Sequence, residues 1–391
     1  MAKSYGYKNK LYLKQFLFIN INNYLSGCTF LTVVKFILSK FFYGILVLFG
    51  VITTIFFLFN VLPGDPATIM LGQRANKEAV EAIHRDLGTN RPIIVQYSHY
   101  LNDLSPISVH NYKNNKSLWF LNPEKYAWMP MFTIGAEKVV VFKWPYLRRS
   151  YITKRDVTEI IKDTLPETAV LAFAAIIIAS VIGIFFGILT ATRKNSFFDR
   201  IVFVLATVFG MSAPSFLVGL IVAWLFGYVL SKYTGLDPSG SLYDIDVWNG
   251  ETLKLKNLIL PAITLGMRPL SIIIQLTRSS LLDVLSQDYI RTARAKGLSY
   301  RKIIVKHALK NALNPVVTAI SGWFAGLMAG AVFVEKIFSW KGIGYEVVEA
   351  LSKNDLPVVM GATLIFATIF VGINIVVDII YGVLDPRVRV K

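Results

Sequence analysis

Six long apolar segments restrict the possible folds of this chain more than any other feature. Each has the roughly twenty residues that an α-helix needs to cross the hydrocarbon core of a bilayer. Composition agrees, because 54% of the residues are hydrophobic and only 17% are charged, a balance that is rare in soluble domains. The sequence therefore predicts an all-α polytopic membrane protein with about six transmembrane helices. The predicted spans are residues 41–62, 168–192, 201–230, 258–282, 312–334 and 356–377.

The positive charges predict the topology. Residues 1–40 contain six lysines and no acidic residue, which indicates a cytoplasmic or interfacial N-terminal segment and, with six spans, two cytoplasmic termini. The net charge of +17 lies mainly beside apolar spans, so it favours membrane lipid headgroups over nucleic acid as the partner. Residues 16–34 are apolar but interrupted by Asn and Gly, and whether they cross the membrane stays open.

A polar insert, residues 63–163, separates the first two spans and is expected outside the cell. It opens with Pro63-Gly64-Asp65-Pro66, a combination that is typical of a turn. Residues 101–147 are rich in aromatic and β-branched side chains and predict a small lobe that contains strands. The lobe either meets an external protein or covers the outer mouth of the membrane part.

Residues 288–310, here termed the hook, are a basic stretch between the fourth and fifth spans. Ala293 and Ala295 favour a helix, Gly297 permits a sharp turn, and Ser299 is suited to cap a second helix. The excess of Arg and Lys predicts a cytoplasmic location. We expect a helix–turn–helix projection that meets a soluble partner, and the alternative is a merely solvated basic loop.

Two residues within the spans are candidates for a substrate path. Arg268 lies near the middle of the fourth span, where exposure to lipid costs at least about 2.5 kcal/mol, so it should face a water-filled cavity or an acidic group on a partner protein. Pro214 predicts a kink in the third span, which either lines the path or is simply tolerated. Arg278, near the inner end of the fourth span, is expected to extend to the interface.

Glycines four residues apart predict faces on which helices pack closely. They occur twice, in the second and fifth spans, as Gly183 and Gly187 and as Gly322, Gly326 and Gly330.

Several stretches resemble permease subunits of ABC importers. The segments DYIRTARAKGL from Asp288 and HALKNALNP from His307 resemble the subfamily that imports oligopeptides, dipeptides or nickel, and in particular its oligopeptide permease B-type subunit. The stretches LPGDP, TLPET and VEKIFSWKGIGYEVVEAL resemble the same subfamily. Arg291 and Lys310 stand where the general importer motif has an acidic residue and a proline, which favours the peptide subfamily. The resemblance covers most of residues 41–389 except the lobe.

The resemblance implies an ABC type I importer fold, with residues 164–391 as the permease core and the hook as the coupling segment. It implies a second homologous permease, two ATPase subunits that use ATP and magnesium, and an extracellular substrate-binding protein, all acting at the cell membrane by alternating access. The coupling residues implied for this chain are Asp288, Tyr289, Ala293, Arg294, Ala295, Lys296, Gly297 and Leu298.

The sequence assigns no catalytic residue, metal ligand or cofactor to this chain. A phosphate-binding loop would end in Gly-Lys-Ser or Gly-Lys-Thr, and the chain has no Gly-Lys dipeptide. It has one cysteine, Cys28, which excludes a cysteine cluster for a metal. We therefore expect a non-catalytic subunit whose energy comes from another chain. The rival functions are a carrier or channel driven by an ion gradient, a membrane scaffold, and an importer permease for nickel or another small solute.

Overall fold

The structure is a computed structural model that describes residues 27–384 except 62–65, 72–76, 79, 82–83, 85–87, 115–116, 124, 136 and 247–249. The chain divides into two compact units, residues 51–370 and residues 1–50 with 371–391. Most of the turn predicted at residues 63–66 lies outside the described residues, as do residues 16–26 of the segment whose crossing stayed open.

Helices dominate both units. In chain order they are α1 (Gly27–Val61), α2 (Pro66–Leu71), α3 (Ile93–Leu104), α4 (Val157–Thr192), α5 (Phe197–Leu205), α6 (Ser215–Val222), α7 (Ser231–Thr234), α8 (Ile259–Leu285), α9 (Asp288–Ala295), α10 (Tyr300–Ile303), α11 (Leu309–Ala312), α12 (Asn314–Gly330), α13 (Val332–Phe338), α14 (Ile343–Ser352) and α15 (Leu356–Leu384). Turns of π-helix follow α5, α6 and α10, at Ala206–Ser212, Ala223–Val229 and Ile304–Ala308.

Four helices in the described part of the chain are long and apolar enough to cross a membrane, and two bent pairs raise the number to as many as six. The first bent pair is Phe197–Ser212 with Ser215–Val229, which meet at 114°, and the second is Tyr300–Ala312 with Asn314–Gly330, at 51°. The protein is therefore a mostly helical, multi-pass membrane protein.

The helices differ from the predicted spans in three places. Helix α1 begins at Gly27 rather than at residue 41, and α4 begins at Val157 rather than at residue 168, with Pro166 inside the helix. Polar residues ended the predicted spans, but a helix continues beyond the hydrocarbon core as long as its backbone stays hydrogen-bonded. The third span is two helices and not one kinked helix, because Ala213 is extended (ψ 135°) before Pro214.

The smaller unit contains the ion pair between Lys40 of α1 and Asp378 of α15, whose Nζ and Oδ2 atoms lie 2.7 Å apart. Gly44 lies on the same side of α1, where an added Cβ would be 2.9 Å from the Ile375 Cδ1 atom and 3.0 Å from the Val371 Cγ1 atom. Two helices that approach this closely need glycine at the contact. The contact at Gly44 and the Lys40–Asp378 ion pair therefore join α1 to α15.

In the larger unit, α4 and α8 pack against each other without room for further side-chain atoms. An added Cβ on Gly183 would lie 2.7 Å from Ile273 Cγ2, and one on Gly187 would lie 2.5 Å from Thr277 Cβ. From the other side, an added Cβ on Gly266 would lie 2.8 Å from the carbonyl oxygen of Ala175. Gly183 and Gly187 thus occupy the tightest part of the α4–α8 contact.

The lobe contains the strands that its composition predicted. Strands β1 (Ile107–Asn111), β2 (Trp128–Ile134) and β3 (Lys138–Lys143) form an antiparallel sheet in the order β1-β3-β2. A separate hairpin pairs β4 (Tyr243–Asp246) with β5 (Gly250–Leu253).

A buried carboxylate, Asp103, organises the polar interior of the lobe. It accepts a hydrogen bond from the Tyr126 hydroxyl at 2.7 Å and lies 3.5 Å from the Arg148 guanidinium. The Lys143 ammonium donates to the Asp103 carbonyl at 2.5 Å, and burial lowers the pKa of Lys143 to about 8. The interior of the lobe is thus held by charge-assisted hydrogen bonds as well as by apolar packing.

A second buried carboxylate, Glu335 of α13, joins three elements. Its Oε1 atom accepts from the Thr168 hydroxyl of α4 at 2.7 Å, and its Oε2 atom accepts from the Tyr345 N–H of α14 at 3.0 Å. The Thr168 oxygen in turn accepts from the Ile343 N–H at 2.9 Å. Glu335 is fully buried, and burial raises its pKa to about 7.

We expect Thr168→Val to lower the free energy of unfolding by about 1–3 kcal/mol, because it leaves the buried Ile343 N–H without an acceptor. The matched control is Thr164→Val, one turn earlier in α4, whose hydroxyl only donates to the Ile160 carbonyl of its own helix. Denaturant unfolding in mixed micelles measures both variants. Equal stability of the two would show that the Thr168 hydroxyl does not hold α14.

Candidate functional site

A cavity of about 190 Å³ lies in the larger unit, between the broken helix pair and α8. Its walls come from the π-helical turn after α5, the start of α6, the middle of α8, and α12 with α13. Ala213 and Ser215 line it on either side of Pro214, which does not line it itself. The break at Pro214 therefore shapes the cavity through its neighbours, since the extended backbone before a proline turns α6 away from α5.

Arg268 is the charged residue among the described residues that line this cavity. Its side chain is exposed, and no carboxylate in the described ranges lies within ion-pair distance of it. Thr264, one turn earlier on α8, lines the same wall, and its buried hydroxyl has no hydrogen-bond partner among the described residues. This wall thus presents a cation to a mainly apolar space, an arrangement that suits an anionic group on a ligand.

The glycines of α12 do not meet another helix of the described chain. An added Cβ on Gly322, Gly326 or Gly330 would have no described atom within 4 Å, and Gly326 and Gly330 line the cavity. The predicted role of this face in helix packing stays a prediction about a partner chain.

The hook has the predicted helix–turn–helix form. Helix α9 ends at Ala295, the Gly297 N–H donates to the Arg294 carbonyl at 2.9 Å, and Gly297 has a φ of +75° before α10 begins. Residues with a Cβ atom rarely adopt this left-handed backbone conformation, so glycine is suited to the turn. Ser299 is the N-cap residue of α10, as predicted, with an extended backbone, but its side chain makes no capping hydrogen bond.

The hook is attached to the membrane helices by an apolar cluster. Ile290 and Ala293 of α9 and Ile303 of α10 pack with Leu281 of α8 and Ala191 of α4. Ala293 is therefore buried on the face of the hook that packs on the membrane helices, and its expected role in coupling stays a prediction. Leu298 is half-buried, and the other expected coupling residues are exposed: Asp288, Tyr289, Arg294, Ala295, Lys296 and Gly297.

Arg278 has an acidic partner near the end of the predicted span. Its Nε and Nη2 atoms lie 2.7 and 2.8 Å from the two carboxylate oxygens of Asp199, which is buried near the start of α5. The sequence did not predict this partner, which offsets the charge of Arg278 by charge-assisted hydrogen bonds; the expected extension to the interface stays a prediction. The sequence contained one signal of this ion pair, because Asp199 is an acidic residue at the edge of an apolar segment.

The family of the chain follows from comparisons with known proteins. The family described as "Binding-protein-dependent transport system inner membrane component" matches residues 183–390, and its N-terminal counterpart matches residues 33–117. The chain belongs to this family. Strands β2 and β3 of the lobe lie between the two matched ranges, where the resemblance to importer permeases fades.

Curated relatives match almost the whole permease. The dipeptide transport system permease protein DppB of Alkalihalophilus pseudofirmus is 36% identical and covers 88% of this chain and 96% of its own. The di/tripeptide transport system permease protein DppB of Pseudomonas aeruginosa is 36% identical, with 87% and 94% covered. The Escherichia coli dipeptide permease DppB is 35% identical, with 88% and 95% covered.

The cavity geometry predicts that a cysteine at position 268 is accessible to water. In a Cys28→Ser background, which removes the one native cysteine, Arg268→Cys should react with a charged thiol reagent. Thr277→Cys, on the same helix but fully buried against Gly187, is the control and should stay unlabelled. Labelling is measured by mass spectrometry of the intact protein, and equal rates at the two positions would contradict the cavity.

Proposed function

We propose that this permease forms the translocation pathway for dipeptides or oligopeptides in an ATP-driven importer. The observation that carries the proposal is the 36% identity to a dipeptide permease over 88% of this chain. The hook adds support, because a carrier driven by an ion gradient has no need of such a projection. ATP and magnesium are bound by partner ATPase subunits, and this chain contributes no catalytic residue.

Arg268 is proposed to attract the carboxylate of a peptide in the cavity. A carboxylate accepts charge-assisted hydrogen bonds from a guanidinium, and the rest of the wall is largely apolar, which suits side chains of varied kinds. The cation is without an acidic partner in the described part of the chain, so a ligand anion would not have to displace one. The competing role for Arg268 is an ion pair with an acidic group of a second permease. In that role, the effect of Arg268 on uptake would not depend on the chemistry of the peptide terminus.

The exposed surface of the hook is proposed to dock into an ATPase subunit. Closure of the ATPases would then displace the hook, and the helices attached to it would move so that the cavity opens to alternate sides. In this arrangement both termini are cytoplasmic, and the lobe is outside, where a substrate-binding protein delivers the peptide. A second homologous permease would cover the open face of α12 that carries Gly322, Gly326 and Gly330.

We expect Gly297→Val to weaken association with the ATPases by roughly five- to thirtyfold, because a left-handed conformation costs an L-residue about 1–2 kcal/mol. Gly297→Asn should retain most of the association, since Asn tolerates this conformation. Gly135→Val is the matched control, because its φ is +67° in the lobe and its Cβ, like that at Gly297, would meet no described atom within 4 Å. Co-purification from mild detergent measures all three, and equal loss in both Val variants would contradict docking by the hook.

We expect Arg268→Gln to reduce uptake of a dipeptide about tenfold, the effect of losing one hydrogen bond to a charged group. When the C-terminus of the same dipeptide is amidated, the variant and the parent protein should take it up at the same rate. Arg268→Lys, which keeps the charge, is the control. Uptake is measured in proteoliposomes with the binding protein saturated by each peptide, and an equal loss for acid and amide would point to an ion pair with the second permease.

A further inference from the structure

The buried ion pair between Asp199 and Arg278 joins the start of α5 to α8. The guanidinium meets both carboxylate oxygens, at 2.7 and 2.8 Å, in the two-point geometry that fixes orientation as well as distance. Asp199 is 3% exposed and the Arg278 side chain is 24% exposed, so the pair is largely but not fully shielded. The two helices are therefore held in one relative position at this point.

Asp199 also holds the turn that precedes α5. Its Oδ2 atom accepts from the Asn195 N–H at 2.9 Å, and its own N–H donates to the Ser196 hydroxyl at 3.1 Å. Asn195 has a φ of +64° in this turn. One carboxylate thus connects the α4–α5 turn, the first turn of α5 and Arg278 of α8.

The two sides of the pair lead to different parts of the proposed mechanism. Seven residues after Arg278, α8 ends at Leu285, and the hook follows on the apolar cluster that contains Leu281. In the other direction, α5 continues into Phe209 and Gly210, which line the cavity. The same wall also packs directly on α8 at Gly210, where an added Cβ would lie 1.7 Å from the Ser271 Oγ atom. The pair is thus a second, directional connection between α8 and α5, close to the hook.

We propose that the Asp199–Arg278 ion pair makes the α5 side of the cavity wall move with the hook during transport. Both members are positioning residues, since neither touches the cavity. The inference rests on the proposed function in assuming that ATPases move the hook. Without the pair, α8 would still follow the hook, but the start of α5 would lose its directional contact with α8 and would follow it only through packing such as that of Gly210 on Ser271.

The experiment measures motion of the wall directly. The variant Phe209→Cys, made in the Cys28→Ser background, places a single thiol on this wall. Its rate of reaction with a soluble thiol reagent reports how accessible the wall is. The rate is measured in the complete complex, with and without ATP and vanadate. The parent should show an ATP-dependent change in that rate. Asp199→Asn should reduce the change while ATP hydrolysis continues, and peptide imported per ATP should fall roughly 5- to 150-fold, the range of a coupling free energy between two sites.

Two further variants separate positioning from folding. Arg278→Lys keeps the charge and should restore part of the ATP-dependent change, whereas Arg278→Gln should not. The control is Asp163→Asn on α4, which removes an exposed ion pair with Arg155. This variant should behave as the parent. The inference is overturned if Asp199→Asn keeps the ATP-dependent change, or if assembly, hydrolysis and uptake fall together in proportion. An ATP-dependent change in a parent that imports no peptide would overturn the proposed substrate and leave the ion pair's role standing.

Discussion

The close approach of α4 and α8 is the contact on which the rest of the larger unit depends. Gly183, Gly187 and Gly266 remove the side-chain atoms that would separate these helices, so that backbone meets backbone or the base of a side chain. Dispersion forces act only over short distances, and in a membrane they replace the hydrophobic effect as the source of helix association. A larger residue at any of these positions would separate the two helices on which the other elements pack.

Helix α8 has two roles because of this arrangement. Its middle presents Arg268 to the cavity, and its inner end shares an apolar cluster with the hook. One helix therefore connects the cation to the hook, although Pro269 inside α8 removes a backbone hydrogen bond between them. The α5 side of the cavity has no such covalent continuity with the hook, and it depends on side-chain contacts with α8 instead. Among these, the buried Asp199–Arg278 pair has the strongest directional preference.

Sequence reasoning succeeded where the deciding force is local. The length of apolar segments indicated most of the membrane helices, and Gly297 indicated the turn of the hook because backbone sterics are a property of one residue. It failed where the deciding contact is distant in sequence. Asp199 and Arg278 are 79 positions apart, and the burial of Ala293 depends on helices that precede it by far more than one turn. The break at Pro214 was expected as a kink, and its 114° angle is set by packing that no local pattern records.

The length of α4 has a mechanical consequence. With 36 residues it is about 54 Å long, whereas the hydrocarbon core is about 30 Å thick. Its first residues, among them Val157 and Ile160, share an apolar cluster with Tyr100 and Leu104 at the base of the lobe. Because α4 packs on α8 from Ala175 to Gly187, the two helices would tilt together as a pair. A tilt of only about 10° would sweep one end roughly 9 Å relative to the other, so a small rotation among the membrane helices becomes a large stroke at the lobe.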